Sequence, residues 1–156
     1  MSRKRFLPAI FLLGLPLCKA DSNAPDPCKA ITKAEAEEVL GEPVRDAMPG
    51  SLGGTKYCDF KTVKLYGGII SYSIHIAIAA EPQNVWDAGK KLHAKEMRPA
   101  QGIGEDAYFL LDDLEIHVKQ QLVTINVMKS IDKPDHAKAV EAAERAVAQK
   151  AVPRLQ

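Results

Sequence analysis

The sequence predicts an α+β fold: a mostly antiparallel sheet of about five strands with helices packed on it, in the order α-β-β-α-β-β-β-α. Three observations predict it. Ile70, Tyr72, Ile74, Ile76 and Ile78 alternate with Ser71, Ser73, His75 and Ala77, a period-two pattern that marks a half-buried strand. Leu114, Ile116 and Val118, then Val123, Ile125 and Val127, repeat the alternation across turns too short for a parallel crossover. Helical spacing and helix boundary signals flank these runs on both sides.

The first helix begins at Thr32, an N-cap residue with Glu35 three positions on, which is a capping box. Ala36, Val39 and Leu40 form its apolar face, and Gly41 ends it before Pro43. Residues Met48 to Lys56 read as a glycine-rich loop, Tyr57 to Leu65 as a strand, and Tyr66-Gly67-Gly68 as a turn. After the isoleucine strand, a second helix spans about Gln83 to Met97, with Val85, Trp86, Gly89 and Leu92 on its inner face and Pro99 beyond its end. A meander follows: Ala107 to Leu111, a turn at Asp112-Asp113, the Leu114–Val118 run, a turn at Gln120-Gln121, and the Val123–Val127 run. The last helix runs from about Pro134 to Val152. Ala137, Ala139, Ala142, Ala143, Ala146, Ala148 and Ala151 favour helix and permit close packing.

The N-terminus carries a different signal. Ser2-Arg3-Lys4-Arg5 is a basic patch, followed by the apolar stretch Phe6 to Leu17 with Pro16 near its end. That stretch falls well short of the roughly 20 residues that span a bilayer. It has the make-up of a secretory signal peptide over residues 1–20, cleaved after Cys18-Lys19-Ala20. A rival reading lipidates Cys18 and tethers the chain to a membrane, although Leu17 stands where lipoprotein signals carry Gly, Ala or Ser. Residues 21–27, proline-rich and polar, form a flexible lead-in, and 28–156 form one domain.

Subtracting the signal changes the chemistry. Arg3, Lys4, Arg5 and Lys19 leave with it, so 17 basic residues face 20 acidic ones and the net charge becomes −3. A nucleic-acid partner calls for a basic excess that the mature chain lacks. Cys18 also leaves, so Cys28 and Cys58 remain as a pair, expected to form a disulfide in an oxidising compartment. Closing a loop of that length stabilises the fold by roughly 3–4 kcal/mol in the chain-entropy picture. No CxxC or HxxxH pair supplies further ligands of matching spacing, so neither a metal nor a cofactor is expected.

Two blocks of residues carry a resemblance. The first is Pro27-Cys28, Ile31-Thr32, Glu35, Leu40-Gly41 and Cys58 before Phe60; the second is Gly102-Ile103-Gly104-Glu105-Asp106-Ala107-Tyr108 and the meander after it. Together they resemble small exported domains of unknown function found among bacterial lipoproteins. The resemblance covers most of the mature chain and implies a helix-and-antiparallel-sheet fold with the two cysteines joined. It implies no activity and no catalytic residues, and this chain departs from it in lacking a lipobox.

Other chemistry is thin. Gly50-Ser51-Leu52-Gly53-Gly54-Thr55-Lys56 lacks the Gly-Lys-Ser/Thr order of a phosphate loop and precedes a strand. Gly102-Ile103-Gly104 has no third glycine and no helix after it, so it reads as a tight turn into the next strand. No serine sits in a Gly-x-Ser-x-Gly elbow. What remains is a weak ligand-binding set: His75, His117 and Glu115 on the polar strand faces, and Glu105, Asp106 and Tyr108 from the second block. If the two histidine strands are neighbours, His75, His117 and Glu115 or Glu81 assemble a weak metal site; otherwise they are solvated residues of an open face. The sequence thus points to a non-catalytic exported domain binding an envelope protein or small ligand. The alternatives are a hydrolase-like enzyme using carboxylates and a histidine, or a secreted inhibitor-type protein.

Overall fold

A computed structural model describes residues 24–129 and 133–156. The expected signal peptide, Cys18 and the start of the expected lead-in lie outside the described residues. A 3-10 turn, Pro27–Lys29, leads into α1 (Lys33–Leu40). Seven strands follow: β1 (Met48–Leu52), β2 (Thr55–Lys61), β3 (Ser73–Ala80), β4 (Arg98–Pro99), β5 (Asp106–Leu110), β6 (Asp113–Val118) and β7 (Gln121–Met128). Helix α2 (Gln83–Leu92) separates β3 from β4, and α3 (His136–Leu155) closes the chain. All seven strands form one antiparallel sheet in the order β1-β2-β3-β7-β6-β5-β4.

The sheet therefore has seven strands where the sequence predicts about five. The extra ones are at its edges. Met48 to Lys56, expected as a loop, holds β1 and the start of β2, joined by a hairpin turn with Gly53 and Gly54 both left-handed. Pro49 and Gly50 mask this strand in the sequence because neither residue favours a ladder. β4 is two residues long. Strand β2 stops at Lys61 rather than Leu65, because buried Thr62 turns the chain: its hydroxyl bonds to the Lys64 carbonyl and accepts the Tyr72 N–H. The excursion returns with Tyr66 stacked on Tyr72 at 3.9 Å. The meander turns sit one residue earlier than expected, with Leu111 left-handed in one and Lys119 and Gln120 left-handed in the other.

One sheet face makes the core. Ile74, Ile76 and Ile78 of β3, Val123, Ile125 and Val127 of β7, and Leu114, Ile116 and Val118 of β6 are all buried there. Each such side chain contributes roughly 1.5–3 kcal/mol on leaving water. Helices α1 and α3 cover this face, α1 through Ala36, Val39 and Leu40 and α3 through Ala143, Val147, Ala148 and Ala151. The capping box forms as predicted, with Thr32 N donating to Glu35 at 2.7 Å and Glu35 N to Thr32 at 3.3 Å. Cys28 and Cys58 are joined, tying the 3-10 turn to β2. Gly104 packs so closely that an added Cβ would lie 2.8 Å from Ile116.

Helix α2 lies on the opposite, outer face. It ends at Leu92, not Met97, and only Trp86 is buried; Val85 and Leu92 stand 46% and 79% exposed. A single helix on an otherwise open face has one line of contact, so an apolar residue to either side of Trp86 finds nothing to pack on.

Candidate functional site

The outer face is built in transverse rows by the strand register. One row runs Gly50, Tyr57, Ala77, Thr124, Glu115, Tyr108 and Pro99 across all seven strands. The next places Ala79, Leu122, His117 and Asp106 side by side. Pairing of β5 with β6 thus brings Asp106 opposite His117 and Tyr108 opposite Glu115. Four of the residues expected from the sequence share one patch.

That patch lies under α2. The Trp86 ring stacks on Tyr108 at 4.8 Å and on His117 at 5.1 Å, an aromatic sandwich between helix and sheet. The indole Nε1–H donates to Asp106 Oδ2 at 2.8 Å, and Lys90, one turn along the same helix face, pairs with the same oxygen. His117, only 4% exposed, bonds through Nε2 to the Glu81 carbonyl at 2.9 Å. A carbonyl only accepts, so Nε2 carries the proton there.

The electrostatics follow. Burial opposes ionisation of Asp106, but the Lys90 ammonium and the Trp86 N–H outweigh it and hold the carboxyl below its ordinary value. Tyr108 is pushed up by burial, then by its bond to Glu115. Trp86, Lys90 and Asp106 thus fasten α2 to the sheet, and His117 holds the segment leading into it. The arrangement is a clasp. A small cavity of about 280 Å³ opens beside it, lined by Lys90, Ala94, Met97, Pro99, Asp106 and Tyr108.

Two expected residues lie elsewhere. Glu105 is exposed on the loop before β5. His75 is on β3, which is separated from β6 by β7, so the proposed meeting of His75 with His117 does not occur. Among the described residues no group of three or more His, Cys, Asp or Glu side chains is placed to hold a metal ion. His75 instead meets Asp59 across the β2–β3 pair, Nδ1 to Oδ1 at 2.6 Å, with the Tyr57 ring 5.5 Å away. Asp59 and Lys90 were missed from the sequence. The Trp86–Lys90 spacing of one helical turn was the available signal for Lys90; Asp59 required the register.

Around His75 the outer face over β2, β3 and β7 is half-exposed and small-featured, with Ser73, Ala77, Ala79 and Thr124 between Tyr57 on one side and α2 on the other. No helix among the described residues is long and apolar enough to cross a membrane. Comparison with family models, curated proteins and solved structures finds no match for this chain.

Proposed function

We propose that this chain is a non-catalytic, exported domain of the bacterial cell envelope that binds a protein or small ligand on the open part of its outer sheet face. The observation that carries this reading is how the acid–base side chains are used. Asp106 and His117 are engaged by Trp86, Lys90 and the Glu81 carbonyl in holding α2, and Tyr108 is buried in the same stack, so these groups are taken up in fastening the helix rather than left free to act as a general acid or base. The uncovered strip between α2 and Tyr57 is what remains for recognition. The sequence's signal peptide, the joined cysteines and the resemblance to exported lipoprotein-type domains support the compartment.

The sheet edges favour binding by the face rather than by strand addition. Pro49 in β1 and Pro99 in β4 each remove an edge N–H, and β4 is only two residues long. A photo-crosslinking residue at Thr124 tests the reading in living cells. It captures one defined envelope component, whereas the same residue at exposed Lys138 on α3 captures none. Absence of a crosslink from Thr124, Ala77 and His75 alike contradicts the proposal.

The Asp59–His75 pair favours a second reading, a hydrolase-like activity in which Asp59 orients His75 as a base. Turnover of p-nitrophenyl acetate that disappears in His75→Ala would move the assignment there.

A further inference from the structure

On the other side of the sheet, a cavity of about 320 Å³ opens between the first half of α3 and the end of the sheet where β5 turns into β6. Glu144 lies at its floor, 2% exposed. Its Oε1 accepts the Val127 N–H at 3.2 Å, an amide just past the last β6–β7 register pair on that side. Oε2 has no hydrogen-bond partner among the described residues. No sealed side-chain nitrogen or oxygen among those residues lacks a partner, so Oε2 is not sealed; it faces the cavity.

Charges of both signs stand around it. Burial, then Asp113 and Asp112 from the β5–β6 turn and Glu141 on α3, push the Glu144 carboxyl up to about 8. Positive groups at the same mouth are already committed. Arg98 from β4 and Arg145 from α3 both bind Glu141, at 2.8 and 3.2 Å, and Lys129 after β7 donates to the Val39 carbonyl. His136 stands exposed at the start of α3. Apolar walls come from Phe109, Val127, Met128 and Val140. At the rim is Leu111, 80% exposed and held at φ 55°, a left-handed backbone that costs a branched aliphatic residue energy.

We propose that this cavity binds a small primary ammonium ion with an aliphatic stem, the ammonium replacing the proton on Glu144. An unpaired, buried carboxyl oxygen is stabilised as carboxylate by an arriving cation, while the stem lies on the apolar walls. Charge balances: Glu144 releases one proton to solvent for each ammonium bound. Affinity therefore rises with pH, about tenfold per pH unit, until Glu144 ionises unaided.

Calorimetric titration of the mature protein with n-butylammonium chloride at pH 6, 7 and 8.5, in two buffers of different ionisation enthalpy, tests this. Release of one proton per ligand at pH 6 and a tighter constant at pH 8.5 are expected, with no comparable binding of n-butanol. Glu144→Gln keeps an acceptor for Val127 and loses both binding and pH dependence. Val140→Trp fills the cavity and blocks binding in a chain whose circular dichroism is unchanged, which answers the question even if Glu144→Gln unfolds. No binding at any pH, equal binding of n-butanol, or full affinity in either folded variant overturns the proposal. The cavity lies across the sheet from the outer face, so these outcomes bear on it alone.

Discussion

Two glutamates are pushed in opposite directions by their surroundings. The Arg154 guanidinium grips Glu35 with bonds of 2.7 and 2.8 Å, and with the Thr32 N–H it lowers that carboxyl to about 2. Burial raises Glu144 to about 8. The signs differ accordingly. Glu35 contributes stability above its ordinary value of 4.5, and that contribution is lost as pH falls toward 2. The contribution of Glu144 is complete below 4.5 and is lost as pH rises toward 8. Urea denaturation is therefore expected to show stability declining from pH 5 to pH 8, at no more than about 1.4 kcal/mol per pH unit. Glu144→Gln flattens that limb and leaves the acid limb unchanged; an unaltered slope would place the titration elsewhere. Glu144 carries a sequence signal that was not used. It shares a helical stripe with Ala148, Ala151 and Leu155, all buried, which puts a carboxyl on the inner face of α3.

Among elements, legibility followed how locally each is determined. α1 is written in its cap, Thr32 and Glu35, and β3, β6 and β7 in their alternation, because those signals concern one segment alone. β1 is not legible in this way, since Pro49 and Gly50 argue against a strand and only pairing with β2 makes it one. Gly50 has a specific reason to be there. The Tyr57 ring lies across it, and an added Cβ would fall 2.2 Å from the ring. Gly50→Ala is therefore expected to destabilise the domain by about 1–3 kcal/mol. The cost should largely vanish in a Tyr57→Ala background, a coupling read from a double-mutant cycle of thermal melts. Equal cost in both backgrounds would mean that backbone freedom, not the ring, governs this position. The site was half legible for the same reason. Alternation told which strand residues share a face, so Glu115 and His117 were named, and the Gly102–Tyr108 block supplied Asp106 and Tyr108. That Trp86 and Lys90 descend on them from α2, and that His75 faces Asp59, depends on tertiary packing and register that no single segment encodes.

At the scale of the whole molecule, one sheet carries two unlike faces. The inner face is a closed core under α1 and α3, and the outer face is clasped by α2 at one end and open over β2, β3 and β7. The disulfide fixes the start of the domain to β2 on the inner face, where Cys58 is buried in the core. The edge prolines leave the faces, not the margins, for association. The joined cysteines fit the proposed export to a compartment where cysteines are oxidised, and the functional reading rests on that export. Intact mass of the protein expressed with its own N-terminus and recovered from the bacterial envelope tests it most directly. The account predicts a chain beginning at Asp21 and two hydrogens lighter than its reduced form. An uncleaved chain with free thiols would contradict export, and a chain beginning at an acylated Cys18 would replace the free domain with a tethered one.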